Sequence, residues 1–301
     1  MTWIAFSGAV ELGIIFSLLA MGIFVSYRIL GVPDLTVEGT FTAGAAVSAV
    51  FVVMGYPALG LFLAILVGAA GGVCSALLQT KMRIQPILAG ILTMTALYSV
   101  NLNIMSGRAN IALIREDTLF TILPNVVDAP WRMLLPLIVT IVVGALLILF
   151  FHTPLGYSVR ATGDNEEMVR ASSINSTFTK MVALGVANGI AALCGGLIAQ
   201  YQGFADINMG FGMVVVALAS LIIGEALFGR RTIIWNICAV AVGAIIYRII
   251  LATALSFRLN TANLRAVSAL IVIVAISYPA LKNQWTLFML KRKAIRGGRN
   301  A

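Results

Sequence analysis

Four groups of polar residues interrupt an otherwise apolar chain, and each has residue types that can do chemistry. The longest runs from 153 to 180 and carries Gly156, Arg160, Ala161, Gly163, Asp164, Asn165, Glu166, Glu167 and Arg170. Asp164 can cap a helix, and Glu167 stands three residues later, the spacing of a capping box. Glu166 and Glu167 then fall in the first turn, where the helix dipole favours negative charge. Met168, Val169, Ala171 and Ile174 give that segment an apolar side. A short surface helix is therefore predicted over 164–172.

The second group is Arg28, Asp34, Thr36 and Glu38. Ionisable side chains inside a bilayer cost roughly 2.5–3.5 kcal/mol each on insertion scales, so they face a cavity or a partner. Arg28, Asp34 and Glu38 are near enough in sequence to neutralise one another. They read either as an ion-pair knot holding a helix break or as the lining of a gate. The third group lies at 93–103, where Thr95, Ser99 and Asn103 recur every four residues on one helical face, with Tyr98 and Asn101 beside them. These groups either line an uncharged polar route or bond to neighbouring helices. Asp206 and Asn208 make the fourth group, which resembles the second. In each, an aromatic residue and a glycine precede an aspartate (Tyr27, Gly31, Asp34; Tyr201, Gly203, Asp206), and a glycine and a phenylalanine follow (Gly39, Phe41; Gly210, Phe211). That is the pattern of an inverted repeat whose discontinuous helices meet near the membrane midplane.

Several chemistries are excluded. No lysine follows a glycine, so there is no P-loop to hold ATP. No G-x-S-x-G or H-E-x-x-H motif is present. His152 is the only histidine, and Cys74, Cys194 and Cys238 lie in apolar runs without ligand spacing, so neither a metal site nor a resident cofactor is expected.

The elements that must position these groups are membrane spans. The chain is 60% hydrophobic and 10% charged, against about 25% charged in soluble domains, and its mean hydropathy is +1.02. The fold class is an all-α polytopic membrane protein. Runs long enough to cross a bilayer fall near 8–30, 37–54, 58–80, 86–106, 132–152, 179–200, 211–228, 232–255 and 266–281, nine in all with a range of 8–10. Residues 1–281 form the membrane domain, with 153–180 as its main polar loop, and 282–301 form a basic tail. The N-terminus lacks a positive region and a cleavage site, so the first run reads as a retained span.

Thirteen Lys and Arg fall on the side of Lys81, Arg160, Arg230 and the tail, against five on the side of Arg108, Arg115, Arg132, Arg258 and Arg265. The first side is therefore cytoplasmic, with the C-terminus inside and the N-terminus outside. The same bias accounts for the net charge of +9 without a nucleic-acid partner. Gly68 with Gly72, and Gly185 with Gly189, give small faces for close packing of helices, within one subunit in preference to between two.

The run Gly156, Tyr157, Ser158, Val159, Arg160, Ala161, Thr162, Gly163, Asp164, Asn165, followed by the small-rich span ending Gly195, Gly196, resembles the permease subunits of bacterial ABC importers. The group is the one that includes branched-chain amino acid and ribose-type permeases. The stretches Pro33–Gly39 and Leu88–Asn101, with Arg108–Ile111, narrow the resemblance to permeases of tryptophan/tyrosine-type uptake systems. The resemblance implies that 164–172 is a coupling helix seated in a groove of a cytoplasmic ATPase. It implies a homodimer of permeases and two ATPase subunits that bind ATP and Mg. It also implies an extracytoplasmic binding protein that delivers a small polar solute, an amino acid, to a bacterial inner-membrane importer. Arg108, Arg115, Arg258 and Arg265 are then either docking cations for that protein or ordinary loop charges. Ser173 departs from the family pattern, which has glycine at the end of the short helix. The rival reading is an ion-coupled secondary transporter.

Overall fold

The computed structural model describes residues 3–122 and 131–256, together with Ile273. The expected span at 266–281 (Ile273 apart), the tail at 282–301, Arg258 and Arg265 lie outside the described residues. Among the described residues the structure is all-α apart from two three-residue strands. Helix α1 (Trp3–Ile23) runs on as a π-helical segment, Phe24–Ile29; α2 is Thr36–Val53, α3 Pro57–Thr80 and α4 Pro86–Ile104. Strand β1 (Asn110–Ala112) and the single turn α5 (Leu119–Ile122) follow, then α6 (Trp131–Phe151), α7 (Pro154–Asp164) and α8 (Glu166–Ala171). The chain continues through α9 (Ser176–Gln202), β2 (Phe204–Asp206), α10 (Met213–Phe228) and α11 (Ile233–Ser256).

Seven helices are long and apolar enough to cross a membrane among the described residues. They match expected spans within a few residues at each end, except that α1 begins earlier, at Trp3. The expected span at 211–228 is shorter than predicted. Helix α10 has 16 residues, about 24 Å at 1.5 Å per residue, against a hydrocarbon core of about 30 Å.

Helix α9 is the axis of the bundle. It packs on α1, α2 and α3, and most of its length is buried. The close approach is made by small residues. A Cβ on Gly44 of α2 would strike the Ala192 carbonyl of α9, and one on Gly195 of α9 would strike the Phe41 carbonyl of α2. The backbones touch because neither glycine has a side chain, which is how helices associate where lipid supplies no hydrophobic drive. The predicted small faces also meet each other: Gly68 and Gly72 of α3 lie on α9, and Gly185 and Gly189 of α9 lie on α3. By contrast, α6 leaves Ile138, Ile141, Val142, Leu146 and Leu149 exposed, an apolar stripe suited to lipid.

The segment after α1 does not form a surface loop. Val32 and Asp34 are buried, and Asp34 reaches Asn188 near the middle of α9. Helix α2 therefore starts deep in the bundle and runs toward the end where β1 and β2 pair antiparallel, Asn110 opposite Asp206. Those strands were not anticipated, since three residues carry no readable alternation. Helix α10 starts beside the first turn of α2 and runs the other way, toward Arg28.

Candidate functional site: a fastened surface helix and two facing helix starts

The polar stretch after α6 folds into two helices instead of one loop. Thr153 caps α7 by accepting from the Gly156 amide (3.1 Å), and Pro154 takes the first helical position, where a missing N–H costs nothing. Gly156 and Gly163 allow α7 to lie flat. A Cβ on Gly156 would enter the Phe150 carbonyl, and one on Gly163 would enter the Ile29 carbonyl at the end of the π-helical segment. The α7–α9 contact is tied by Thr162 and Thr179, whose hydroxyls lie 2.8 Å apart.

The predicted capping residue is corrected by one position. Asp164 is the last residue of α7, and Asn165 caps α8, its Oδ1 accepting from the Met168 amide at 3.0 Å. Asn165 has extended backbone geometry (φ −157°, ψ 101°), as an N-cap requires, whereas Asp164 remains helical. No capping-box partner is used. Glu166 instead accepts from Arg170 (2.7 Å) and from Lys180 on α9 (2.6 Å), while Arg170 Nε donates to Ser176 Oγ (2.9 Å). Partial burial alone would raise the Glu166 carboxyl; Lys180 and Arg170 outweigh it and hold the group below its ordinary value of 4.5.

Of the apolar side predicted for α8, Val169 is buried, while Met168 (54% exposed) and Ala171 face outward. The outward surface is therefore Glu167 and Met168, with Asp164 and Asn165 beside them and Tyr157 on α7, over whose ring Arg160 sits (5.7 Å). Helix α8 ends with Ser173 at φ +62°, with Ser173 N donating to the Arg170 carbonyl and Ile174 N to the Val169 carbonyl. Serine thus keeps the left-handed exit at the position where the family pattern has glycine.

The expected mutual neutralisation of Arg28, Asp34 and Glu38 does not occur. The helix break sends them to different partners. Arg28 pairs with Glu225 at 2.9 Å, and Arg230 pairs with the same carboxylate at 2.6 Å. Asp34 accepts from Thr36 N (2.9 Å) and from Asn188 Nδ2 (2.6 Å), and Thr40 donates to Asn188 Oδ1 (2.7 Å). Glu38 accepts from the Gly212 amide at the start of α10 (3.0 Å). The two similar breaks therefore meet, with a carboxylate from one at the positive end of the helix that follows the other.

Beside that contact is a cavity of about 310 Å³, whose polar lining is Glu38, Thr42, Thr95, Tyr98, Ser99 and Asn101. Asn101 is buried and donates to the Gly39 carbonyl (3.1 Å); Thr95 and Asn103 stay exposed on α4. Asp206 is turned to local use, accepting from Asn208 N (2.8 Å), and Asn208 is exposed away from the cavity lining. Arg108 and Arg115 are exposed near the strand pair. Thr36 is buried at the start of α2.

Sequence reading missed Asn188, Gln200 and the role of Glu225. Asn188 and Gln200 are lone amides in a small-residue span, and the need of a buried amide for partners was the available signal. Gln200 donates to Ser48 Oγ (2.9 Å) and to the Pro57 carbonyl (3.0 Å), and so fastens the far end of α9.

A bundle of membrane-crossing helices, with a partly polar cavity between α2, α4 and the start of α10 and a short helix held out at one end, is the build of a polytopic transport protein. The chain matches the family described as branched-chain amino acid transport system / permease component over residues 5–276, and it belongs to that family of ABC transporter permeases. It is 37% identical over 261 residues to the tyrosine transport system permease protein of Clostridioides difficile, covering 86% of each chain. Its fold is similar to PsaBC from Streptococcus pneumoniae in complex with Fab (TM-score 0.53, 13% identity, 90% of this chain and 89% of that one). It is also similar to a transporter assigned to the metal-chelate ABC type in an inward-facing conformation (TM-score 0.52, 15% identity, 92% and 85%). At such identities the likeness concerns the fold alone.

Proposed function

We propose that this chain is the membrane-spanning subunit of a bacterial ATP-driven importer for an amino acid, working as a homodimer with two cytoplasmic ATPase subunits and an extracytoplasmic binding protein. The observation that carries the reading is α8. It is a six-residue helix capped at both ends and fastened to α9 through Glu166, yet it presents Glu167 and Met168 outward. A helix fastened at both ends, whose outward face no described residue covers, suits transmission of rigid-body motion. ATP and Mg belong to the partner subunit, and the end carrying α8 faces the cytoplasm.

The route for solute runs past the cavity between Glu38, Thr42, Thr95, Tyr98, Ser99 and Asn101, where α2 and α10 begin. Arg28, Asp34 and Thr36 shape that break from behind through Glu225 and Asn188. Helix starts directed at one point are how discontinuous helices handle polar cargo. Asn103 continues the polar face of α4, and Asp206 and Asn208 hold the outer turn through which solute enters. Arg108, Arg115, Arg258 and Arg265 meet acidic surface on the binding protein. Relatedness to a tyrosine transport permease supports an amino acid as cargo.

The test is uptake into proteoliposomes holding this chain with its ATPase. Uptake that requires both ATP and the binding protein is expected; uptake by this chain alone under an ion gradient would identify a secondary carrier instead.

A further inference from the structure

A second, strongly cationic cavity lies at the end of the bundle that carries α7. Its volume is about 590 Å³, and it is bounded by Arg28 and Ile29, His152, Arg160 and Asp164, and by Arg231, Thr232, Ile233, Ile234 and Asn236 at the α10–α11 turn. Among the four ion pairs of the described residues, none includes Arg160 or Arg231. Each guanidinium instead lies over an aromatic ring, Arg160 over Tyr157 at 5.7 Å and Arg231 over Trp235 at 5.4 Å. The first turn of α11 adds its positive end, with Thr232 capping Trp235 N (3.3 Å). Asp164 is the one carboxylate in the lining.

The lining also carries apolar side chains, Ile29, Ile233 and Ile234. Ile234 is exposed, as are its sequence neighbour Trp235 and, before the turn, Leu227. Trp and Arg together at a helix end mark the depth of lipid headgroups. A wall that is cationic and also carries hydrocarbon matches an amphiphile better than a free anion.

We propose that this cavity binds the phosphate of an anionic phospholipid headgroup, which wedges between α7 and the α10–α11 turn. Arg160 and Arg231 grip the phosphate, Ile234 and Trp235 lie along the acyl chains, and Asp164 weakens the grip. The inference needs only that this end lies at a bilayer surface; it does not depend on α8 being a coupling helix or on the solute.

The experiment is a thermal-shift titration of the purified full-length chain in nonionic detergent. The probes are short-chain phosphatidylglycerol, short-chain phosphatidylcholine and inorganic phosphate. Phosphatidylglycerol should raise the melting midpoint saturably, and phosphatidylcholine should not. The double variant Arg160→Gln/Arg231→Gln should weaken half-saturation roughly 25-fold, about fivefold per arginine. Asp164→Asn should tighten it several-fold, a gain that misfolding cannot imitate. An equal response to both lipids, or unchanged half-saturation in both variants, would overturn the proposal. So would inorganic phosphate producing the whole shift with no gain from acyl chains.

Discussion

The carboxylate of Glu166 lies 2.6 Å from the ammonium of Lys180, so α8 is fastened near the start of α9, the most central helix of the bundle. Any force applied to α8 reaches α9 through that contact and through Arg170 and Ser176, while Val169 is buried beneath the helix. The fastening is partly exposed, so its worth is modest, roughly 1 kcal/mol for the set. Glu166→Gln should therefore leave the protein folded but speed amide exchange across 166–174, measured by hydrogen–deuterium exchange. Unchanged exchange would show that Val169 and the caps hold α8 unaided.

The same fastening has a pH sign. The Glu166 carboxyl sits below its ordinary value in the folded protein. Its contribution is present in full above the ordinary glutamate value and is lost as pH falls through the lower folded value. Exchange at 166–174 should be flat between neutral pH and about pH 5 and accelerate at more acid pH, once corrected for intrinsic exchange. In Glu166→Gln the acid acceleration at α8 should disappear.

Ser173 occupies a left-handed conformation, φ +62°. A non-glycine residue there costs about 1–2 kcal/mol. Ser173→Gly should raise the local opening free energy of 169–174 by about 0.5–1 kcal/mol, the gain being reduced by the flexibility of unfolded glycine. Ser173→Val should lower it. The pair is read by amide exchange, and no difference between the two variants would contradict the geometry.

Asn188 joins Thr40 of α2 to Asp34 through one buried amide. Asn188→Leu takes from buried Asp34 the amide donor, leaving it only Thr36, and returns Thr40 to the Thr36 and Val37 carbonyls, at a cost of about 2–3 kcal/mol. The melting midpoint in detergent should fall by several degrees. In the double variant Asp34→Asn/Asn188→Leu the loss should be smaller than the sum of the single losses.

These cases mark what was legible in the chain. The spans were, because about twenty consecutive apolar residues have few other uses. Helix α8 was too, since caps, acidic first turn and flanking cations coincide. Its start was off by one because Asp164 and Asn165 are equally good caps, and only backbone geometry separates them. Arg28 with Glu225, and Asp34 with Asn188, were illegible. Each pair joins opposite halves of the chain, and local proximity favoured the wrong partners, Asp34 and Glu38, for Arg28. Glu38 at the Gly212 amide was half legible: the two breaks were recognised as alike, but not as touching.

Glycine positions separate seating from tolerance. On Gly163, a Cβ would enter the Ile29 carbonyl, whereas on Gly185 it would meet the Val73 methyl at 3.3 Å. Gly163→Ala should destabilise by roughly 2 kcal/mol or more and unseat α7; Gly185→Ala should cost under about 1 kcal/mol. Limited proteolysis after α6 distinguishes them, since only Gly163→Ala should expose that region to cleavage.

The most direct test of the functional reading changes the outward face of α8 and leaves its fastening intact. Glu167→Arg/Met168→Glu alters two of the exposed side chains and keeps Glu166, Arg170 and Lys180. The measurement is binding-protein-stimulated ATP hydrolysis by this chain reconstituted with its ATPase. The account predicts that stimulation falls at least tenfold while the melting midpoint of the isolated chain stays within about 2 °C of the parent, the size of effect ordinary surface substitutions have. Stimulation equal to the parent's would contradict it.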